Sequence, residues 1–174
     1  MTDKCFASVS AALHLAYLLE YEPVSPHTPM TKLYLKSMPK SSSRLTGMTP
    51  LEVRGQLAMI RAAVKHHLHP AEAAAVEARY GQLQTQALAI KYLIEYLQPQ
   101  FKCDDADYLM EVVAAVLTDL PKRQLSLRKI AKERGKHAES VRRLSLSFLK
   151  HHNELYKRAY GNLQVVLSRI VDND

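Results

Sequence analysis

The segment 126–149, SLRKIAKERGKHAESVRRLSLSFL, constrains the fold of this chain most. Its residues match the steric needs of two helices joined by a tight turn. A small residue at Ala131 lets a second helix cross the first at close range, and Gly135 accepts the left-handed backbone of a turn. A β-branched residue one turn into the second helix, Val141, would fill the angle between the two. The residues predicted to pack this helix pair are Ile130, Ala131, Gly135, Val141 and Leu144.

The region around this segment is strongly basic. Residues 121–161 contain 12 Lys and Arg against 3 Asp and Glu, a net charge of +9, whereas the whole chain has +7, so the remainder carries −2. A basic module attached to a mildly acidic body is typical of a nucleic-acid-binding protein. The side chains that we expect to face phosphates and base edges in a major groove are Arg128, Lys129, Lys132, Lys136, His137, Glu139, Ser140, Arg142 and Arg143.

Segment 126–149 resembles the helix-turn-helix of bacterial and phage transcription regulators, in particular the DNA-reading region 4 of sigma factors. The most diagnostic positions of this resemblance are Ala131, Gly135 and Val141. Two positions depart from the pattern, since the residue before the glycine is usually apolar but is Arg134 here, and Lys136 follows the glycine. The resemblance implies sequence-specific binding to double-stranded DNA. The alternative is a basic helical hairpin in which the glycine only ends the first helix.

In that binding mode the two helices have different tasks. Phosphate contacts are expected from the first helix, through Arg128, Lys129 and Lys132. Base contacts are expected from the second helix, through Arg142, Arg143 and Glu139.

The order of a helical body followed by a DNA-reading module is also similar to that of small prophage-encoded regulators, among them the Q-type antitermination proteins. This resemblance extends only to the helix-turn-helix and implies that the body contacts RNA polymerase. A second hypothesis is a phage DNA-packaging or assembly adaptor with a helix-turn-helix, although such adaptors usually carry the DNA-reading part first. An RNA-binding protein is a weaker third hypothesis, because aromatic platforms for single strands are missing.

The rest of the chain predicts helices throughout, so the fold class is all-α, a helical bundle body followed by the basic helix-turn-helix. Thr49-Pro50-Leu51-Glu52 is a capping box that starts one helix, and Pro70 starts another that Gly81 stops. Further helices are predicted over 9–19, 86–97 and 108–117. The predicted segments are 1–38, an N-terminal helical segment; 39–48, a Ser-rich linker; 49–120, the helical body; and 121–174, the DNA-binding region with a C-terminal helix.

Several residues that could suggest other chemistry have simpler interpretations. His66, His67 and His69 surround a predicted helix end and are interpreted as dipole partners rather than metal ligands. His14 is interpreted as a core or boundary residue, and Tyr92 and Tyr96 as core and interface residues. No nucleotide, protease or hydrolase motif is present, so we expect no enzyme, no cofactor and no metal.

Localisation and oligomeric state follow from weaker signals. Two isolated cysteines and the lack of an apolar run of membrane-spanning length favour a cytoplasmic protein without a membrane partner. After 149 the apolar residues keep a helical period to Ile170, so either the second helix continues or another begins near His152. That stripe motivates the hypothesis of a homodimer.

Overall fold

The computed structural model describes residues 5–20, 48–101, 103, 105–117 and 126–171. The described residues form seven α-helices and one short 3-10 helix, Gln98–Gln100. The α-helices are α1 (Val9–Leu18), α2 (Pro50–His67), α3 (Pro70–Tyr80), α4 (Leu83–Leu97), α5 (Ala106–Leu117), α6 (Leu127–Glu133) and α7 (Ala138–Val166). The prediction of an all-α fold is confirmed.

The helices belong to two compact units. The first contains Met1–Leu68 together with Tyr160–Asp174, and the second contains His69–Ala159. This division differs from the four segments proposed from the sequence, because the end of α7 belongs to the same unit as the N-terminal part of the chain. Residues 21–38 of the predicted N-terminal segment and most of the 39–48 linker lie outside the described residues.

The first unit is built on the apolar helix α1, which packs against α2. Among its described residues Tyr17 is the largest fully buried side chain, and Leu13 and Ile60 are also fully buried. The guanidinium of Arg61 donates to the carbonyl of Ala16 at 2.6 Å, so α2 also satisfies an acceptor near the end of α1. The backbone N–H of Phe6 donates to the carbonyl of Ile170 at 3.1 Å.

The second unit depends on close contact between α3 and α4. The residues that α3 contributes to this core are all alanine: Ala71, Ala74, Ala75 and Ala78. Small side chains let two helices approach closely, so the larger residues of α4, such as Leu93 and Ile94, cover the alanine face. The same core includes Phe101, Leu109, Phe148 and Leu155, which brings in α5 and α7.

The predicted helix starts at Thr49 and Pro70 are confirmed, whereas the interpretation of His69 is corrected. Thr49 forms the capping box with Glu52, whose carboxylate accepts from the N–H of Thr49 at 2.6 Å. His66 and His67 are exposed in the last turn of α2, as interpreted. His69 instead caps the start of α3, where its Nδ1 accepts from the N–H of Ala71 at 3.2 Å.

One helix start and the burial of three side chains differ from the prediction, because they depend on tertiary contacts that the local sequence pattern does not show. Helix α4 starts at Leu83, three residues earlier than predicted. His14 is exposed rather than at the core. Tyr92 and Tyr96 are exposed rather than in the core, and their nearly parallel rings have centroids 6.4 Å apart, so an interface role for them stays a prediction.

The second helix of the basic module continues without a break to Val166. This decides between the two alternatives left open after residue 149. The apolar stripe that motivated a dimer is buried within this chain at Leu155, Ala159, Leu163 and Leu167. Those side chains are therefore not a surface for a second copy.

Candidate nucleic-acid interface

The first helix of the basic module, α6, is held by one capping contact and two buried side chains. The hydroxyl of Ser126 accepts from the N–H of Lys129 at 3.2 Å and starts the helix. Ile130 and Ala131 are buried together with Val141, and Tyr108 and Val112 complete the same apolar cluster. Ile130 and Ala131 thus lie on the buried side of α6.

The turn after α6 is a Schellman motif centred on Gly135. The N–H of Lys136 donates to the carbonyl of Ala131 at 2.9 Å, and the N–H of Gly135 donates to that of Lys132 at 3.3 Å. Gly135 has φ +59°, the left-handed conformation in which a side chain is strained. A Cβ placed there would meet nothing within 4 Å, so the need for glycine comes from the backbone angle and not from crowding.

Arg134, the departure from the usual apolar residue, forms an ion pair with α5. Its Nη2 and Nε donate to the carboxylate of Glu111 at 2.6 and 3.1 Å, and its Nη1 lies 3.6 Å from Asp105. The hydrogen bonds to Glu111 raise the pKa of the guanidinium above its ordinary value. The turn is thus attached to α5 by a bidentate charged contact where an apolar side chain would otherwise pack.

This contact could not be found from the motif alone. Asp105 precedes α5 and has a local role there, since its carboxylate accepts from the N–H of Tyr108 at 2.9 Å. Glu111 lies 23 residues before Arg134, so no local spacing relates the two. The only signal in the sequence was a charged residue at a position that the motif usually leaves apolar.

The second helix of the module, α7, is oriented by Val141. This side chain is fully buried against the apolar residues of α6 and α5, and Leu144 is half-buried one turn later. Both positions thus lie on the side of α7 that faces the apolar cluster. Ser145 is also buried, with its hydroxyl donating to the carbonyl of Arg142 at 2.8 Å, so it adds no unpaired group to the core.

The opposite face of α7 presents two arginines with a shared acid. Arg142 and Arg143 are highly exposed, with 66% and 79% of their side chains accessible, and each lies 3.4 Å from one carboxylate oxygen of Glu139. These pairs have the helical spacings of three and four residues. Glu139 therefore holds the two guanidinium groups at the N-terminal end of α7 and offsets part of their charge.

The remaining predicted binding residues are exposed as well. In α6 these are Arg128, Lys129 and Lys132, of which Lys129 lies 3.7 Å from Glu133. Between the helices and at the start of α7 they are Lys136, His137 and Ser140. All nine predicted side chains thus have accessible polar groups on the two helices and the turn that joins them.

One exposed residue on this surface was not predicted. Leu146 is 54% exposed and follows Arg142 and Arg143 along the outer face of α7, at a spacing of four and three residues. An apolar side chain next to basic ones is suited to contact a thymine methyl group. The pattern could not identify it, because a leucine in an amphipathic helix is usually assigned to the core.

Neither a metal site nor a bilayer span is found in the part of the chain that the structure describes. No group of three His, Cys, Asp or Glu side chains there could hold a metal ion. None of the described helices combines the length and the apolar character that crossing a bilayer requires. No protein-family model matches the sequence, and no curated protein matches it significantly.

Proposed function

We propose that this protein binds double-stranded DNA through α6 and α7, with α7 as the recognition helix. The observation that carries the proposal is the turn: Gly135 at φ +59° joins two helices whose inner faces meet at Ile130, Ala131 and Val141. This is the packing that a helix-turn-helix needs in order to present the N-terminal part of its second helix to the major groove.

The chemistry of the exposed face supports the same function. Arginine can donate two parallel hydrogen bonds to the O6 and N7 atoms of guanine, and Arg142 and Arg143 have the exposure to do so. Glu139 can accept from the N4 amino group of cytosine. Arg128, Lys129 and Lys132 are suited to phosphates, which position the protein without reading sequence.

We further propose that the DNA-binding activity regulates transcription in the cytoplasm of a bacterial host. The support is the resemblance of 126–149 to the DNA-reading region of sigma factors and to prophage regulators of the antitermination type. In that case residues outside the basic module would contact RNA polymerase.

The experiment that tests DNA binding is a salt titration with duplex DNA. Fragments from the neighbourhood of the gene are compared with random duplex by fluorescence anisotropy. We expect a preferred fragment that remains bound at moderate salt, with log K falling against log salt at a slope of about −0.9 per phosphate contacted. Equal binding to every fragment, lost steeply with salt, would leave a basic helical protein without sequence recognition and would overturn the proposal of a regulator.

Substitution of Arg142 and of Arg143 tests which of them contacts a DNA base. Arg143→Ala or Arg142→Ala should weaken binding to the preferred fragment by about 1–3 kcal/mol and relax the preference at one base pair, if that residue makes a bidentate base contact. Arg54→Ala is the matched control, because Arg54 is an exposed helical arginine outside the basic module. Equal weakening by Arg54→Ala would contradict a specific role for α7.

A further inference from the structure

The outer face of α4 is apolar although it is exposed. Leu88, Tyr92 and Tyr96 are 67%, 39% and 42% accessible, and they follow each other at intervals of four residues. Residues at this interval form a continuous row along one side of a helix. The rings of Tyr92 and Tyr96 are nearly parallel, with an angle of 11° between their planes, so the row presents a continuous apolar surface. We call these three residues the α4 ridge.

The α4 ridge lies on the side of α4 that faces away from the core of its unit. The opposite side of the helix already supplies five buried residues to the core of its unit: Ala89, Ile90, Leu93, Ile94 and Leu97. The α4 ridge is not among these five, although Tyr96 also lies against the ring of His69, with the ring centroids 6.1 Å apart. Contiguous exposed apolar side chains bordered by charged residues mark a site of protein association.

Two residues of opposite charge lie next to the α4 ridge, and their arrangement is complementary to that of a second, antiparallel copy. Lys91 and Glu95, both exposed, occupy the adjacent row of the helix, one turn apart. A row that carries one positive and one negative charge is complementary to a second copy of itself when the copies run in opposite directions. A nucleic acid, in contrast, would be attracted by Lys91 and repelled by Glu95.

We propose that the α4 ridge is the contact surface between two copies of this chain, with the two α4 helices antiparallel about a two-fold axis. An axis at the level of residue 93 places Lys91 of each copy opposite Glu95 of the other, because both lie two residues, about 3 Å, from the axis. The same axis places each Tyr92 at the level of position 94 of the other copy. That level is the gap between Tyr92 and Tyr96, so one register satisfies both the charges and the interdigitation of the rings.

The size of the surface sets the strength of the association. One helix from each copy buries less than the roughly 800 Å² per partner of a standard stable interface. The dimer is therefore weak, and its population depends on the protein concentration. It does not depend on the proposed DNA-binding function, because no residue of α6 or α7 takes part.

Sedimentation equilibrium of the full chain over concentrations up to on the order of 100 µM tests the proposal. The wild-type chain should dimerise, and Tyr92→Ser should raise the dimer Kd by about tenfold or more. Lys91→Glu and Glu95→Lys should each raise it by about fivefold, since each puts like charges opposite one another twice. The double variant K91E/E95K restores opposite charges in the same register and should return the Kd to near the wild-type value.

Lys65→Glu is the matched control, since it reverses an exposed helical lysine in the other unit and should leave the Kd unchanged. Circular dichroism verifies that every variant keeps its helical content. A wild-type chain that stays monomeric at all concentrations would overturn the proposal, and so would a dimer that Tyr92→Ser does not weaken. If K91E/E95K dimerises as poorly as the single variants, or if Lys65→Glu has the same effect as Lys91→Glu, the antiparallel register is wrong.

Discussion

The guanidinium of Arg134 and the carboxylate of Glu111 form a two-point contact, with hydrogen bonds of 2.6 and 3.1 Å between residues 23 positions apart. It joins the turn between α6 and α7 to α5, which also supplies Tyr108 and Val112 to the apolar cluster shared with these two helices. The module is therefore supported by one apolar and one charged contact with the same helix. The charged contact replaces the apolar residue that usually precedes the turn glycine.

We predict that Arg134→Ala lowers the melting temperature by a few degrees, because Glu111 loses its partner. Glu111→Gln should lower it by a similar amount. The two changes combined should cost less than the sum of the single changes, since they remove the same contact. Thermal unfolding followed by circular dichroism measures this cycle, and strictly additive effects would show that the two side chains do not act as a pair.

We predict that Gly135→Val destabilises the protein by about 1–2 kcal/mol and weakens DNA binding. The cause is the backbone angle, since nothing lies within 4 Å of a Cβ at that position. Gly135→Asn should cost less, because asparagine tolerates the left-handed region. Chemical denaturation gives the free energy of unfolding of each variant.

Gly161→Ala is the control for this comparison. Gly161 lies inside α7 with open space around its Cβ position and without a left-handed φ, so alanine should stabilise the helix by about 0.5–1 kcal/mol. Effects of the same sign at Gly135 and Gly161 would contradict the special role of the turn.

We predict that Glu139→Gln raises affinity for random duplex DNA by roughly threefold to tenfold at low salt, because it removes a negative charge beside Arg142 and Arg143. Sequence preference should fall at the same time if the carboxylate accepts from a cytosine. Fluorescence anisotropy on the preferred and random duplexes measures both quantities. Glu154→Gln is the control, since Glu154 lies on the same helix about 22 Å further along, where its charge acts on Arg142 and Arg143 far more weakly than the carboxylate of Glu139 at 3.4 Å does. An equal effect of both variants would show that only net charge matters.

We predict that acidification destabilises the protein through His152. This side chain is buried, its Nε2 lies 3.2 Å from the carbonyl of Ala75, and its ring stacks on Phe148. Burial lowers the pKa of the imidazole below its ordinary value of 6.5, and the positive charge of Arg79 acts in the same direction.

The sign follows from proton binding. Below pH 6.5 the unfolded chain binds a proton at this histidine that the folded chain does not, so stability is fully present above 6.5 and falls as the pH drops toward the lowered folded pKa. His152→Gln should flatten the curve of unfolding free energy against pH in that range. His66→Gln, at an exposed histidine, should leave the curve as in the wild type. An unchanged curve for His152→Gln would contradict this source of pH dependence.

The amino-acid sequence alone was sufficient for the features that depend on near neighbours. The capping box at Thr49, the start of α3 at Pro70 and the turn at Gly135 each need only a few consecutive residues, so their patterns identified them. The burial of Ile130, Ala131 and Val141 also followed, because helical spacing places them on one face. The same helical spacing places the basic residues of α6 and α7 on the opposite, exposed face.

Only the tertiary structure decided which surfaces stay exposed and which distant charges meet. Apolar residues along α7 and along α4 have similar helical periods, yet Leu155 and Leu163 are buried within the chain whereas Leu88 and Tyr92 are not. The pairing of Arg134 with Glu111 is equally invisible to local pattern. The sequence of a helix with two apolar faces does not determine which face is buried. That outcome depends on the shape of the helix packed against it and on the small side chains there.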